Sequence, residues 1–486
     1  MSQLTSLQPT LLWKYFDAIL KIPRPSKKEE KIIAYLENFA LENNLDYKKD
    51  AIGNMLIKKA ATKGKERVKT VVLQSHVDMV CEKNSNVRHN FDTDPIKPLI
   101  EGDWVKASGT TLGADNGIGV ATSLAVLANK SLVHGPIECL FTVDEETGLT
   151  GAHKLEKDFF SGKILINLDS EDEGEIFIGC AGGIDTLISF PLKYTKPPKK
   201  WSTYQVSIRG LKGGHSGDDI NKGLANANKL LTRLLWTARK DFGLLLSDFQ
   251  GGNLRNAIPR EANALVTLDA LNAKSFEKYV ARFEKMVRNE FSYTEPDLSV
   301  KLEAHKPLKK VLKNKVSSQL LNALYACPNG VMAMSQTVPG LVETSTNLAS
   351  VHFKEPDIAE IVTSQRSSVE SAKLDTMNRV ISTFSLTEAT IRHSDSYPGW
   401  TPNPNSDVLR LAQNVYQTLF SEQAKVKAIH AGLECGLFLE KYPDLDMISI
   451  GPTMRGVHSP DERLHIASVE KFWAFFLKIL EEIPEE

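Results

Sequence analysis

Five short segments each place carboxylates or a histidine at the end of an apolar run: SHVDM (His76, Asp78), LGADNG (Asp115), TVDEETG (Glu145, Glu146), INLDSED (Asp169) and RGVHSPDE (His458). One such segment constrains little, because strand ends commonly finish in polar turn residues. Five of them, spread over most of the chain, call for a fold that collects distant strand ends into one crevice. A parallel α/β sheet does this, since ligands gather beyond the carboxyl ends of its strands.

The pattern around the first four segments agrees. From Lys69 to about Cys180, β-rich runs alternate with helical ones: TVVLQSHV, DNGIGVATSLAVLANK, IECLFTV, GAHKLEKDF, ILINLD. This predicts an α/β domain with a largely parallel sheet and helices on both faces. At 486 residues the chain exceeds what one hydrophobic core serves, so two domains are expected. The lysine- and proline-rich stretch PLKYTKPPKKW suits a linker. Strand and helix patterns continue after it, but the acidic and histidine motifs stop until His458. We therefore expect a discontinuous catalytic domain, residues 1–190 and 399–486, interrupted by an inserted α+β domain at 191–398.

Composition narrows the partners. Lysine plus arginine (59) nearly cancels aspartate plus glutamate (60), so no global field draws the chain to nucleic acid. No apolar window approaches the ~20 residues of a membrane span. The N-terminus lacks a basic segment followed by an unbroken apolar stretch. Five scattered cysteines without a CxxC pair fit reduced thiols. These features together lead us to expect a cytoplasmic protein.

Each motif has a bland reading beside the functional one. His76 and Asp78 share a face at spacing two, so Asp78 can orient the imidazole; alone, the pair also fits a core histidine near a loop carboxylate. Asp115 sits between Gly113 and Gly117 before a helical run, as an N-cap or as a carboxylate with one oxygen for each of two cations. Adjacent Glu145 and Glu146 point in different directions from an extended segment, so one can ligate while the other serves as general base; alone, they fit an exposed acidic turn. Asp169 ends an apolar run, and the acidic residues after it read as a solvated face. His458 alone would be structural.

Taken together these residues form a nitrogen and oxygen donor set without sulfur, suited to two divalent cations, zinc foremost, with manganese or cobalt also fitting. Cations ~3.5–4 Å apart would share a water and lower its pKa. Glu145 would take its proton and pass it to a leaving amine.

The order H-x-D, G-A-D-N-G, D-E-E-x-G, L-D-S and H-S resembles the M20 family of metallopeptidases. Within it, LKGGHSGDDI, GGNLRNAIPR, VETSTNL, IHAGLECGLF and GPTMRGVHSPDERL resemble the cytosolic branch that cleaves aminoacyl-histidine dipeptides. The resemblance implies that His76, Asp115 and Asp169 hold one metal and Asp115, Glu146 and His458 the other. It implies Glu145 as general base, Asp78 as the carboxylate orienting His76, and a cis peptide between Asp115 and Asn116. His215 resembles the histidine that stabilises the oxyanion, from the same or a neighbouring subunit. Asn256 and Arg366 resemble substrate-gripping residues, Arg366 suiting a terminal carboxylate. Gly432 lies where distant relatives carry a glycine-rich turn that holds a substrate carboxylate. His430 and Glu434 have helical i, i+4 spacing but are not counted as ligands. The implied activity is hydrolysis of dipeptides with a free N-terminus, including Xaa-His and β-Ala-His, by a homodimer joined through the inserted domain. The alternative is an amidohydrolase of the same family acting on N-acyl amino acids.

Overall fold

The structure, a computed structural model, describes residues 3–394 and 396–485. The chain divides into two compact units, the first comprising Met1–Gly179, Pro402–Ala428 and Glu434–Glu486, the second Cys180–Thr401 and Ile429–Leu433.

The first unit is built on an eight-stranded sheet. Its order is Asp46–Lys49, Met55–Lys59, Ile137–Thr142, Val71–His76, Ile164–Asn167, Asp446–Ser449, Glu175–Cys180 and Lys425–Ile429. The four central strands from Ile137–Thr142 to Asp446–Ser449 run parallel. Their neighbours Met55–Lys59 and Glu175–Cys180 are antiparallel to them. The sheet is thus parallel in its centre and mixed at its margins. Asp46–Lys49 and Met55–Lys59 are joined by a connection short enough only for a hairpin, which fixes that pair as antiparallel.

Every residue of Val71–His76, Ile137–Thr142 and Ile164–Asn167 is buried, so both faces of these strands are covered. Helix Ala114–Ala128 packs on Val71–His76, and Asp407–Phe420 packs on Asp446–Ser449. The register pairs His76 with Thr142 and Gln74 with Asn167, which aligns the carboxyl ends of these strands along one edge. Beyond that edge follow Glu145, Glu146 and Asp169. A second, four-stranded sheet pairs Met454–Arg455 with Arg463–His465 and carries His458 in the loop between them.

The second unit is α+β. Its main antiparallel sheet runs Ser299–Ala304, Trp201–Arg209, Ala262–Asp269, Leu245–Gly251, Val342–Lys354, Ile358–Ser367, Gly182–Pro191 and Thr390–His393, with Gly330–Met334 beside Val342–Lys354. Helix Ala273–Glu290 turns Phe276, Tyr279, Val280, Phe283 and Val287 inward at helical spacing. These side chains join the inward residues of the sheet in one core.

The division falls at Cys180 rather than at 191. Gly182–Pro191 pairs along its whole length with Ile358–Ser367, so it is a strand of the second sheet; the lysine- and proline-rich stretch lies inside the second unit. The chain returns at Pro402, close to the expected 399, and Ile429–Leu433 belongs with the second unit. Composition marks flexible connections, and a boundary made inside an apolar strand run leaves no such mark.

Leu73 lies fully buried in the central strand. Leu73→Ala is expected to cost about 2–5 kcal/mol, read from the denaturation midpoint. Leu271→Ala, at a position 89% exposed, should stay within about 0.5 kcal/mol of the parent.

Candidate metal centre and substrate residues

Asp115 occupies the turn into helix Ala114–Ala128, where Asp115 and Asn116 depart from helical dihedrals and the peptide between them is cis. Its two oxygens diverge: Oδ1 lies 3.1 Å from His76 Nε2, and Oδ2 lies 3.1 Å from His458 Nε2. Asp169 Oδ1 lies 3.3 Å from His76 Nε2, and Glu146 Oε2 lies 3.0 Å from His458 Nε2. Two groups follow, each able to present its ligand atoms within 4.8 Å of one another: His76, Asp115 and Asp169, and Asp115, Glu146 and His458. They share Asp115. Glu145 forms a further such group with His76 and Glu146.

Asp78 lies behind His76, with Oδ1 3.3 Å from Nδ1. Its carboxylate accepts the backbone N–H groups of Glu145 (3.0 Å) and Glu146 (3.2 Å) and the hydroxyl of Ser26 (2.8 Å). One buried carboxylate therefore fixes both the imidazole and the turn that carries the two glutamates. That turn is not extended: Asp144 has a left-handed φ of 49°, and the chain bends back at once, with Leu149 N–H donating to Glu145 carbonyl.

Three supporting residues were not singled out as site residues from the sequence, although Asn116 and Glu462 lie within the quoted motifs LGADNG and RGVHSPDE. Glu462 accepts the backbone N–H groups of Leu112 (2.7 Å), Gly113 (2.9 Å), Ala114 (2.7 Å) and Asp115 (3.2 Å), clamping the turn that aims Asp115. The fully buried Arg24 donates to the carbonyls of Val77 (2.9 Å), Asp78 (2.7 Å) and Gly113, tying the His76 and Asp115 segments together. Asn116 donates to the Leu168 carbonyl (2.8 Å) and to Asp169 Oδ1. Glu462 stands four residues after His458, at the end of RGVHSPDE.

The electrostatics are those of crowded buried acids. Burial, with Asp169, Glu434 and Glu146 adding negative charge against the opposing His76, raises Glu145 well above the usual carboxyl range. Burial likewise raises Asp169 to about 6, Glu434 to about 7 and Glu171 to about 8. Asp115 moves the other way. Burial opposes the shift, but hydrogen bonds from His458 and His76 hold it well below its usual range. Those same contacts with Asp115 and Glu146 lift His458 to about 11. Glu146 Oε1 is buried and has no hydrogen-bond partner among the described residues. An orphaned carboxylate oxygen among converging imidazole nitrogens and carboxylates fits a cation-binding centre.

The second unit gathers the other candidates. His215 pairs with Ala257 in a two-residue ladder, and Ser216 N–H donates to the Asn256 carbonyl, so His215 and Asn256 lie side by side. His215 Nδ1 accepts the N–H groups of Gly217 and Asp218 and lies 3.2 Å from Asp218 Oδ2. Arg366 is buried within Ile358–Ser367, donates to the Tyr397 hydroxyl (3.2 Å) and leaves its buried Nε without a partner among the described residues. A side chain on Gly432 would meet the Tyr397 ring, so Arg366 and Gly432 flank one tyrosine. His430 Nε2 lies 2.7 Å from the hydroxyl of Ser345, the ladder partner of Arg366. Burial, then the Arg366 charge, lowers His430 to about 3, so it is neutral. Glu434 is not on a helix with His430; it stands just before helix Cys435–Lys441. Tyr397 and Ser345 were not among the residues singled out from the sequence.

The profile of peptidase family M20/M25/M40 matches residues 72–482. The chain belongs to this family. It is a peptide-bond hydrolase. Over 484 residues, the whole of both chains, it is 45% identical to the cytosol non-specific dipeptidase of Escherichia coli (strain K12). The structure of aminoacylhistidine dipeptidase from Vibrio alginolyticus superposes with a TM-score of 0.93 at 44% identity, covering 100% of this chain and 99% of that one. A tripeptidase from Staphylococcus aureus, at 17% identity with coverage of 98% and 99%, shares the family fold at a TM-score of 0.57.

Two outcomes follow from the centre. Replacing Glu462 by Ala releases four backbone N–H groups and should weaken cation binding about 10–100-fold by isothermal titration, with the ligands themselves untouched. The second concerns pH. Asp169, Glu434 and Glu171 bind protons more tightly in the folded chain than an unfolded chain does. The folded state therefore holds more protons from the usual carboxyl range up to about 8, and stability falls as pH rises through that window. His458 acts in the same sense up to about 11, while the lowered Asp115 acts in the opposite sense only in acid, below its ordinary value. The thermal midpoint of chelated protein should decline from about pH 5 to about pH 8, and added zinc should flatten the decline. A midpoint that rises across this window would contradict the assignment.

Proposed function

We propose that the chain is a two-metal dipeptidase that cleaves dipeptides with a free N-terminus, including Xaa-His and β-Ala-His. The observation that carries this reading is the pair of three-residue groups sharing Asp115, with Glu145 beside them and outside both. His76, Asp115 and Asp169 would hold one divalent cation and Asp115, Glu146 and His458 the other, zinc foremost, with manganese or cobalt also suited. Such cations would polarise the scissile carbonyl and lower the pKa of water held there.

The chain's own residues then do the following. Asp78, behind His76 Nδ1, fixes the tautomer that turns Nε2 toward the centre. Glu145, whose buried carboxyl has a raised proton affinity, takes the proton from the attacking water and returns it to the leaving amine. Asp169 and Glu146 serve as ligands. We assign substrate contact to His215, Asn256, Arg366 and Gly432 of the second unit. His215 would stabilise the oxyanion, and Arg366 would pair with the terminal carboxylate. The dipeptidase names of the full-length relatives support the substrate class and, for the E. coli protein, a cytosolic setting. No helix among the described residues is long and apolar enough to cross a membrane. A cytoplasmic homodimer joined through the second unit completes the reading.

Chelation should abolish hydrolysis of β-Ala-His and of other Xaa-His dipeptides, and zinc or manganese should restore it. Activity indifferent to the chelator would refute the metal mechanism. Faster cleavage of N-acetyl amino acids than of dipeptides would place the chain among the amidohydrolases instead. Glu145→Gln should keep both cations, measured by elemental analysis, while kcat falls by about 10²–10⁴.

A further inference from the structure

Glu434 is almost fully buried and is used by none of the steps above. Its Oε2 accepts from Gln74 Nε2 (2.6 Å) and from the Thr142 hydroxyl (2.8 Å). In this geometry Oε2 is the acceptor, and both neighbours turn donors toward it. Gln74 must then point Oε1 the other way, where it accepts from Asn167 Nδ2 (2.6 Å). Asn167 in turn must point Oδ1 onward, where it accepts the Asp169 backbone N–H (3.3 Å) and the Ser449 hydroxyl. With the Ser449 proton committed, Ser170 Oγ, 2.7 Å away, is left as the donor to it. The chain crosses the ends of four adjacent strands, and every amide in it has one orientation. Gln74 stands two residues before His76, and Asn167 two residues before Asp169. The direction of the whole series originates at one accepting carboxyl oxygen, Glu434 Oε2.

We propose that Glu434 is a positioning residue for the metal centre: by fixing the direction of the hydrogen-bond chain Gln74–Asn167–Ser449–Ser170, it holds Asp169 where it can ligate together with His76. The proposal rests on the two-cation reading. Without the carboxylate, Gln74 and Asn167 can flip, and a flipped Asn167 presents an NH₂ group to the Asp169 N–H, donor against donor. A buried polar chain with one conflicting pair loses its ordering function along its length. Outer partners of metal ligands commonly set affinity by 10–100-fold, which is about the scale expected here.

The test uses cation binding to the full chain, read by equilibrium dialysis with elemental analysis and by competition with a chromophoric chelator. Wild type should hold two zinc ions. In Glu434→Leu, with fold checked by circular dichroism, the Kd of one zinc should rise about 10–100-fold. Gln74→Glu sets two carboxylates face to face and should show the same loss. The exchange Gln74→Glu with Glu434→Gln restores one acceptor-only group, now at position 74, which still receives the Asn167 NH₂ group; zinc affinity should recover to within about threefold of wild type. A purely structural role would lower thermal stability in these variants without moving zinc affinity. Wild-type affinity in folded Glu434→Leu would overturn the proposal alone, as would an exchange variant no better than Gln74→Glu, a comparison that stands even if Glu434→Leu does not fold. A wild type that holds no zinc would overturn the two-cation reading and this proposal with it.

Discussion

The divergence of the two Asp115 oxygens is the constraint on which the rest of the centre depends. A single carboxylate can serve two histidines from opposite sides only if its backbone is held close and its rotation is blocked. The first unit meets that requirement from below the turn: Glu462 gathers four consecutive N–H groups, and Arg24 caps the carbonyls of Gly113, Val77 and Asp78. Hydrogen bonds to charged groups contribute about 1.5–3 kcal/mol each, so this clamp outweighs the local freedom of a glycine-flanked turn. The turn is rigid because its backbone donors are all committed to one anion.

Bringing so many acids together has an electrostatic cost, and the fold meets it in two ways. Carboxylates that do not face the centre are neutralised by neutral donors: Asp78 takes two N–H groups and a hydroxyl, and Asp144 takes the hydroxyls of Thr147 and Thr150. The facing carboxylates are left with raised proton affinities or an orphaned oxygen, as in Glu145, Asp169 and Glu146.

Much of the centre was legible in the sequence because strand periodicity and side-chain chemistry coincide there. Apolar runs ending near His76, Glu145 and Asp169 announced both a parallel sheet and the edge at which these side chains converge. The adjacency of Glu145 and Glu146 placed two carboxylates beside His76, even though the segment is a tight turn and not extended. Glu462 and Arg24 were not legible, since each acts on backbone atoms of segments far away in sequence, and backbone groups leave no residue-specific trace. The same holds for Tyr397 and Ser345, which meet Arg366 and His430 only through the register of antiparallel strands. The boundary at Cys180 was hidden for a related reason: a strand that changes sheets looks like any other apolar run.

The two units differ in how they hold polar side chains. In the first, the candidate ligands stand at strand ends, a helix start and a loop, and the turn carrying Asp115 is aimed by Glu462 and Arg24 gripping backbone. In the second, Arg366 and His430 are held by hydroxyls of Tyr397 and Ser345, which can donate or accept and can rotate. Arg366 Nε has no partner among the described residues, which supports the proposed pairing of its guanidinium with an anionic group. Fixed geometry suits groups that share a reaction centre, where small misplacements are costly. Rotatable partners suit groups that recognise a substrate, because a carboxylate can be gripped while the side chains around it vary.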